Sequence, residues 1–214
     1  MATTINLRRR GVMVVLSSPS GAGKSSITRA LVQEERERLF LSISVTTRAR
    51  RSSELEGVHY YFIDQPRFQR MRDGGELLEW AEVHGNLYAT PKAAVENALS
   101  AGLDVLFDID WQGTQQLVAA MPDDVVTVFI LPPSMNELRA RLERRAEDAE
   151  TVIANRLGNA ASEIGHWREY DYIVINDDLE RALGGVRAIL AAERLKRERQ
   201  TGMADFVAGL VGKT

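Results

Sequence analysis

The sequence predicts an α/β fold in which a parallel sheet carries helices on both faces. Three observations point there. Apolar runs of strand length recur along the chain, they are nearly continuous, and segments with apolar residues at three- and four-residue spacing separate them. Continuous runs suit strands buried on both faces, and alternating strands and helices suit a parallel sheet.

The first strand is expected over Val12–Leu16, and a helix over Ile27–Val32. Between them lies Ser17-Ser18-Pro19-Ser20-Gly21-Ala22-Gly23-Lys24-Ser25-Ser26. A strand, a glycine-rich turn, Lys-Ser and a helix form the context of a phosphate-binding P-loop. Glycines let successive N–H groups point inward at an anion, and the helix N-terminus adds partial positive charge. Ser18 through Ser26 are the expected ATP contacts; Ser18 stands where the usual pattern has glycine. Lys24 would reach the β- and γ-phosphates, and the Ser25 hydroxyl would ligate Mg²⁺. The expected core is therefore of P-loop NTPase type. The plainer alternative is a strand–turn–helix corner with a surface lysine.

Residues 41–91 break the rhythm. Leu41–Val45 alternates apolar and polar, Val58–Ile63 is aromatic and β-branched, Leu77–Val83 is a third candidate strand, and a fourth could start at Asn86–Tyr88. Gly57, Gly74, Gly75 and Gly85 mark turns. This stretch is expected to be a small, largely antiparallel β subdomain inserted into the main sheet.

The alternation then resumes. Strands are expected over Leu103–Phe107, Val125–Leu131 and Tyr172–Ile175, with helices over Ala93–Leu99, Gly113–Ala120, Ser134–Arg145 and Asp178–Arg194. Ser134 followed by Glu137 is a capping box that starts a helix. Asp108 and Asp110 fall at the C-terminal end of a strand, where open α/β sheets bind ligands. Glu34–Arg38 and Arg194–Arg199 are charge runs expected on solvated helix faces.

Bulk properties narrow the function. With 214 residues the chain has room for one substantial domain with a small insertion. A net charge of −3 gives a nucleic-acid partner no support. No cysteine is present, which excludes disulfides and thiolate metal sites and fits a reducing cytoplasm. Arg8-Arg9-Arg10 precedes an apolar run as in a signal peptide, but the run is short and leads into the P-loop. No segment approaches the ~20 apolar residues of a membrane span. His59, His84 and His166 lack metal-ligand spacing.

A kinase needs an acceptor site beside its ATP site. Thr46-Thr47-Arg48-Ala49-Arg50-Arg51 follows a candidate strand, and guanidinium groups grip phosphate bidentately. Tyr60 and Tyr88 offer phenol hydroxyls nearby in sequence. A solvated arginine loop is the equal alternative on this segment alone.

Here the chain resembles the guanylate kinase family. The resemblance rests on Ser44–Arg51 with Glu54, Gly57 and Tyr60, on Glu79-Trp80-Ala81-Glu82, and on Gly85–Thr90. Asp108–Gly113, Ile130–Ser134 and Tyr170–Asp178 extend it, so that it runs from about Val12 to the last long helix. It implies phosphoryl transfer from ATP to GMP with Mg²⁺. It implies that Arg48, Arg51, Tyr60 and Tyr88 hold the GMP phosphate, and that Glu79 faces the guanine, with Ser44, Thr90 and Asp110 contacting the base. A carboxylate accepts from guanine's adjacent N1–H and NH₂ donors, and adenine has no such pair on that edge. The resemblance also implies Asp108 as a carboxylate for Mg²⁺ or its waters and Asn176 near the adenine. Arg145 and Arg156 would be lid arginines reaching the transferring phosphoryl group.

The expected layout is one domain: a core of 11–40, 92–143 and 157–200, a GMP-binding subdomain of 41–91, a lid of 144–156 and a tail of 201–214. The lid tip reads Arg145-Ala146-Glu147-Asp148 where the family usually has Arg-Gly-Thr-Asp, and Ala89 stands where many members have glycine. The expected partners are GMP and ATP, with neither nucleic acid nor membrane, and homo-oligomerisation is left open. The rival from another class is a non-catalytic phosphopeptide-binding module on the same fold.

Overall fold

The computed structural model describes residues 7–83, 85–145 and 150–212. In chain order the elements are β1 (Met13–Ser17), α1 (Lys24–Glu34), β2 (Leu39–Leu41), β3 (Val45–Thr46), β4 (Tyr61–Phe62) and α2 (Gln65–Asp73). Then come β5 (Leu77–Val83), β6 (Asn86–Pro91), α3 (Lys92–Ser100), β7 (Asp104–Asp108), α4 (Trp111–Ala120) and β8 (Val125–Leu131). The chain continues through α5 (Met135–Arg145), α6 (Glu150–Ile164), β9 (Tyr172–Ile175), α7 (Leu179–Arg194) and α8 (Met203–Leu210).

The main sheet has five strands in the order β2-β7-β1-β8-β9, and every pairing is parallel. Its central strand β1 is buried along its whole length. Val14 and Leu16 pack with Ile27 and Leu31 of α1 and with Leu183, Val186 and Leu190 of α7. Met13 and Val15 face the other way, onto Val95 and Leu99 of α3 and Leu117 of α4. One strand thus supplies alternate side chains to two cores, which explains its unbroken apolar sequence.

The second sheet has four strands in the order β4-β3-β6-β5. β3 and β4 run parallel, and the other two pairings are antiparallel. A helix, α2, accompanies it, burying Phe68 against Val45 and Ala89. Asp64 caps that helix through the Arg67 N–H, and Pro66 sits in its first turn.

Four expectations are corrected. Leu41–Val45 is not one strand: Leu41 ends β2 in the main sheet, and Val45 begins β3 in the small one. Only Tyr61 and Phe62 of 58–63 form a strand. Arg194 and Arg199 do not lie on a solvated face. Arg194 donates to the fully buried Asp104 at 2.7 Å, and Arg199, also buried, pairs with Glu193 at 3.4 Å. The capping box at Ser134 is half made. Ser134 Oγ accepts from the Glu137 N–H at 3.1 Å, while the Glu137 carboxylate turns to Arg141 and Arg144, both at 2.9 Å. Charge-assisted bonds outcompete a neutral N–H for that carboxylate.

Candidate active site

The turn after β1 is shaped by two glycines. Gly21 and Gly23 have φ of 90° and 100°, values that disfavour side chains. A Cβ at Gly23 would collide with Asn176 Nδ2, and one at Gly21 would lie 2.9 Å from Leu142 of α5. Asn176 follows β9, is buried, and donates from Nδ2 to the Ala22 carbonyl at 2.7 Å. Arg141 reaches over from α5, donating to the Asn176 carbonyl at 3.0 Å and to the Ala22 carbonyl at 3.4 Å. The turn is thus braced by the end of β9 and by α5. Gly21, Gly23, Ser25, Ser26, Arg141, Asn176 and Leu179 line a recess of about 290 Å³.

Other groups of the turn are also engaged. The Ser20 N–H donates to Glu163 of α6 at 3.2 Å, so an anionic oxygen already sits on a turn amide. Ser18 Oγ donates to the neighbouring Pro19 carbonyl at 3.0 Å. Lys24 opens α1; its ammonium pairs with Asp108 at the end of β7 and donates to the Ile109 carbonyl at 3.3 Å. Ser25 is exposed at the helix start.

Across β7 lies a second recess of about 200 Å³, lined by Ser44, His59, Tyr60, Asp108 and Ile109 among others. Asp108 and Ile109 therefore touch both the second recess and Lys24. Near it, Arg48 donates to both carboxylate oxygens of Glu54, at 2.6 and 3.1 Å, and to the Tyr88 hydroxyl at 3.2 Å. Its guanidinium lies 5.6 Å from the Tyr60 ring centre, and Tyr60 meets Tyr88 edge-on at 5.7 Å. Arg48, followed by the Arg51 N–H, holds the Glu54 carboxyl down at about 2. Burial pushes the Tyr60 phenol up. Arg51 presents an exposed side chain, while its N–H donates to Glu54 at 2.8 Å.

Glu79 is a different kind of carboxylate. It is only 6 % exposed, and Thr90 Oγ1 donates to it at 2.8 Å. A register shift between Leu77 and Glu79 sets Glu79 opposite Thr90 on β6. Burial raises the Glu79 pKa above the ordinary carboxylate value, and the nearby Asp110 charge adds to the rise. Asp110 itself caps α4, accepting from the Gly113 N–H at 3.0 Å. Asp110 thus serves as a helix cap while its charge still acts on Glu79.

Of the residues expected to form a lid, the structure describes Arg144, Arg145 and residues 150–156. Arg145 ends α5 and Arg156 lies half-buried on α6. Ala146–Asp148 at the lid tip and His84 lie outside the described residues. Glu54 and Glu163 are contacts that residue patterns alone did not assign, and Glu54 carries a signal, an acid six residues after Arg48. Arg141, expected among the lid arginines a turn before Arg145, instead braces the turn through Ala22 and Asn176.

Comparison with known proteins gives one answer. The family model described as guanylate kinase matches residues 10–193. A guanylate kinase of Chelativorans sp. (strain BNC1) is 64% identical over 207 residues, 97% of this chain and 94% of its own. One from Mesorhizobium japonicum is 62% identical over 205 residues, 96% of this chain and 94% of its own. The crystal structure of guanylate kinase from Anaplasma phagocytophilum superposes with a TM-score of 0.76 at 38% identity, covering 98% of this chain and 100% of that one.

Proposed function

The chain belongs to the guanylate kinase family, and from that premise we propose how its residues divide the transfer of the ATP γ-phosphoryl group to GMP. Ser18–Ser26 cradle the ATP phosphates, with Lys24 on the β- and γ-phosphates, and Asn176, Arg141 and Leu179 border the adenine side. Arg48, Arg51, Tyr60 and Tyr88 take the GMP phosphate. Glu79 reads the guanine edge with Ser44, Thr90 and Asp110 around it. Arg145 and Arg156 complete the charge on lid closure. The layout into core, GMP-binding subdomain of about 41–91, lid and tail belongs to the same proposal.

One observation carries the reading. Lys24 is bonded to Asp108 and Ile109, which also wall the second recess. An ATP terminus held by Lys24 and an acceptor phosphate in that recess would therefore meet at one strand end. The chemistry needs little more. A GMP phosphate oxygen attacks the γ-phosphorus, the bond to the β–γ bridging oxygen breaks, and ADP leaves. With a second pKa of about 6, the GMP phosphate is already largely ionised at neutral pH, so no general base is needed. The barrier is the approach of two anions, which cations positioned in advance lower.

Mg²⁺ fits the residues present. No group of three or more His, Cys, Asp or Glu among the described residues would cage a metal. The exposed Ser25 hydroxyl and the Asp108 carboxylate would hold Mg²⁺ through few protein oxygens, as is usual when substrate phosphates and waters fill the shell. When bound, the ion neutralises charge on the β- and γ-phosphates. The acceptor and the cysteine-free sequence support a cytoplasmic role in purine nucleotide metabolism.

The test is ADP release from ATP and Mg²⁺ with GMP, AMP, UMP or CMP, beside Lys24→Ala. Release should require GMP, and the variant should turn over about 10² more slowly, the scale of a lost transition-state donor. A folded Lys24→Ala protein of near-normal turnover would remove Lys24 from the mechanism.

A further inference from the structure

We propose that Gln116 is a positioning residue for guanine recognition, acting through the backbone of Trp80 on Glu79; the inference rests on the reading of Glu79 given above. β5 is an edge strand of the four-stranded sheet, paired on one side only, with β6. On its open side, one side chain takes both polar backbone groups of Trp80. Gln116 Oε1 accepts from the Trp80 N–H at 3.0 Å, and Gln116 Nε2 donates to the Trp80 carbonyl at 3.0 Å. A primary amide carries an acceptor and a donor side by side, so it can imitate a neighbouring strand for one residue. A carboxylate has no donor, and a hydroxyl carries both functions on a single atom.

The location gives the clamp its consequence. Trp80 is the residue after Glu79, and the ladder is irregular between Leu77 and Glu79. Glu79 and Trp80 pair with Thr90 and Ala89 just past that irregularity, and a slip there would re-aim the Glu79 carboxylate. α4 faces the segment with Asp110, Gly113 and Gln116, spaced three residues apart on one stripe. Asp110 supplies the field that helps raise the Glu79 pKa. Gly113 leaves room, since a Cβ there would lie 3.3 Å from Glu79 Oε2. Gln116 pins the chain. The helix that begins beside the phosphate-transfer strand end thus fixes the depth and orientation of the base-reading carboxylate. In physical terms, Gln116 adds to specificity by keeping Glu79 preorganised, so that guanine binding does not have to order it.

The experiment measures kcat and KM for GMP, kcat/KM for AMP and KM for ATP in the wild type, Gln116→Ala, Gln116→Glu and Glu79→Gln. Gln116→Glu keeps the side-chain size and the acceptor but turns an oxygen toward the Trp80 carbonyl, so it reports even if the alanine variant folds poorly. The expected result is a rise of about tenfold in KM for GMP in both Gln116 variants, the scale of one or two net hydrogen bonds. The GMP-over-AMP ratio should fall with it, while kcat stays within about twofold and KM for ATP is unchanged. A loss shared equally by GMP and ATP, or an unchanged KM and ratio for GMP, overturns the inference. Glu79→Gln separates the two levels. If it abolishes the preference for GMP and the Gln116 variants do not weaken it, only the clamp fails. If it leaves the preference intact, the reading of Glu79 fails and the clamp fails with it.

Discussion

At the scale of single residues, the site depends on two acids in opposite environments. Glu54 is pinned by Arg48 and held at about 2. Glu79 is buried beside a hydroxyl, and its pKa is raised. In the proposed reading of the site, guanine recognition would require Glu79 ionised, because only then do both oxygens accept. In the free protein the raised pKa means that charging Glu79 costs stability as pH rises from its unfolded value through its folded one. Guanine's two donors would offset that cost, so the proposal predicts that GMP binding releases a proton in the same window. kcat/KM for GMP should therefore fall as pH drops, with a midpoint above the ordinary carboxylate value of 4.5. The GMP phosphate, with its second pKa of about 6, adds an acid limb that Glu79→Gln retains, so a pH profile from 4.5 to 8 checks this by the part of the fall that the variant loses. The identity of Glu79 was legible in the sequence only through its motif. Its burial, and the clamp on the residue beside it, arise from α4, which lies about thirty residues further along.

At the scale of elements, the P-loop was the most legible and the small sheet the least. The P-loop announces itself because φ, N–H direction and helix start are all local to residues 17–26. Gly23→Ala should abolish most ADP release, since φ of 100° strains any side chain and the new Cβ would displace Asn176 from Ala22. A turnover assay beside a melting curve checks it, with activity lost far beyond any change in stability. By contrast, α2 escaped a search for β pattern. It buries only Phe68, so its helical period is thin, although Asp64 and Pro66 were readable cap signals. β2 was missed because three residues at a sheet edge carry no period of their own. Its pairing with β7 defines it, not its sequence.

At the scale of the whole molecule, the two ends of the parallel sheet do different work. The C-terminal ends of β1 and β7 carry the turn, Lys24's partner and the second recess. The opposite end is tied together by buried charge. Asp104, fully buried at the start of β7, accepts from Arg9 at 2.7 and 3.0 Å, from Arg194 at 2.7 Å and from the Val12 N–H at 3.0 Å. It joins the N-terminal segment, β7 and α7. Removing it leaves two arginines largely out of water without their shared anion, so Asp104→Ala should lose about 3 kcal/mol in urea unfolding. KM for GMP and ATP should hardly move, because Asp104 lies at the far end of the strand from Asp108. That tie was invisible as a pattern: Arg8–Arg10 resembled the start of a signal peptide and Arg194–Arg199 a solvated helix face, and only folding brings Arg9 and Arg194 to one aspartate.

The central claim is that this fold transfers phosphoryl groups from ATP to GMP selectively. The most direct measurement supplies ATP, Mg²⁺ and equal amounts of GMP, AMP, UMP and CMP in one mixture and separates the nucleoside diphosphates. The account predicts GDP and ADP accumulating one for one, with UDP and CDP absent. ADP in excess of GDP, a pyrimidine diphosphate, or no diphosphate from a folded protein that still binds GMP would contradict it.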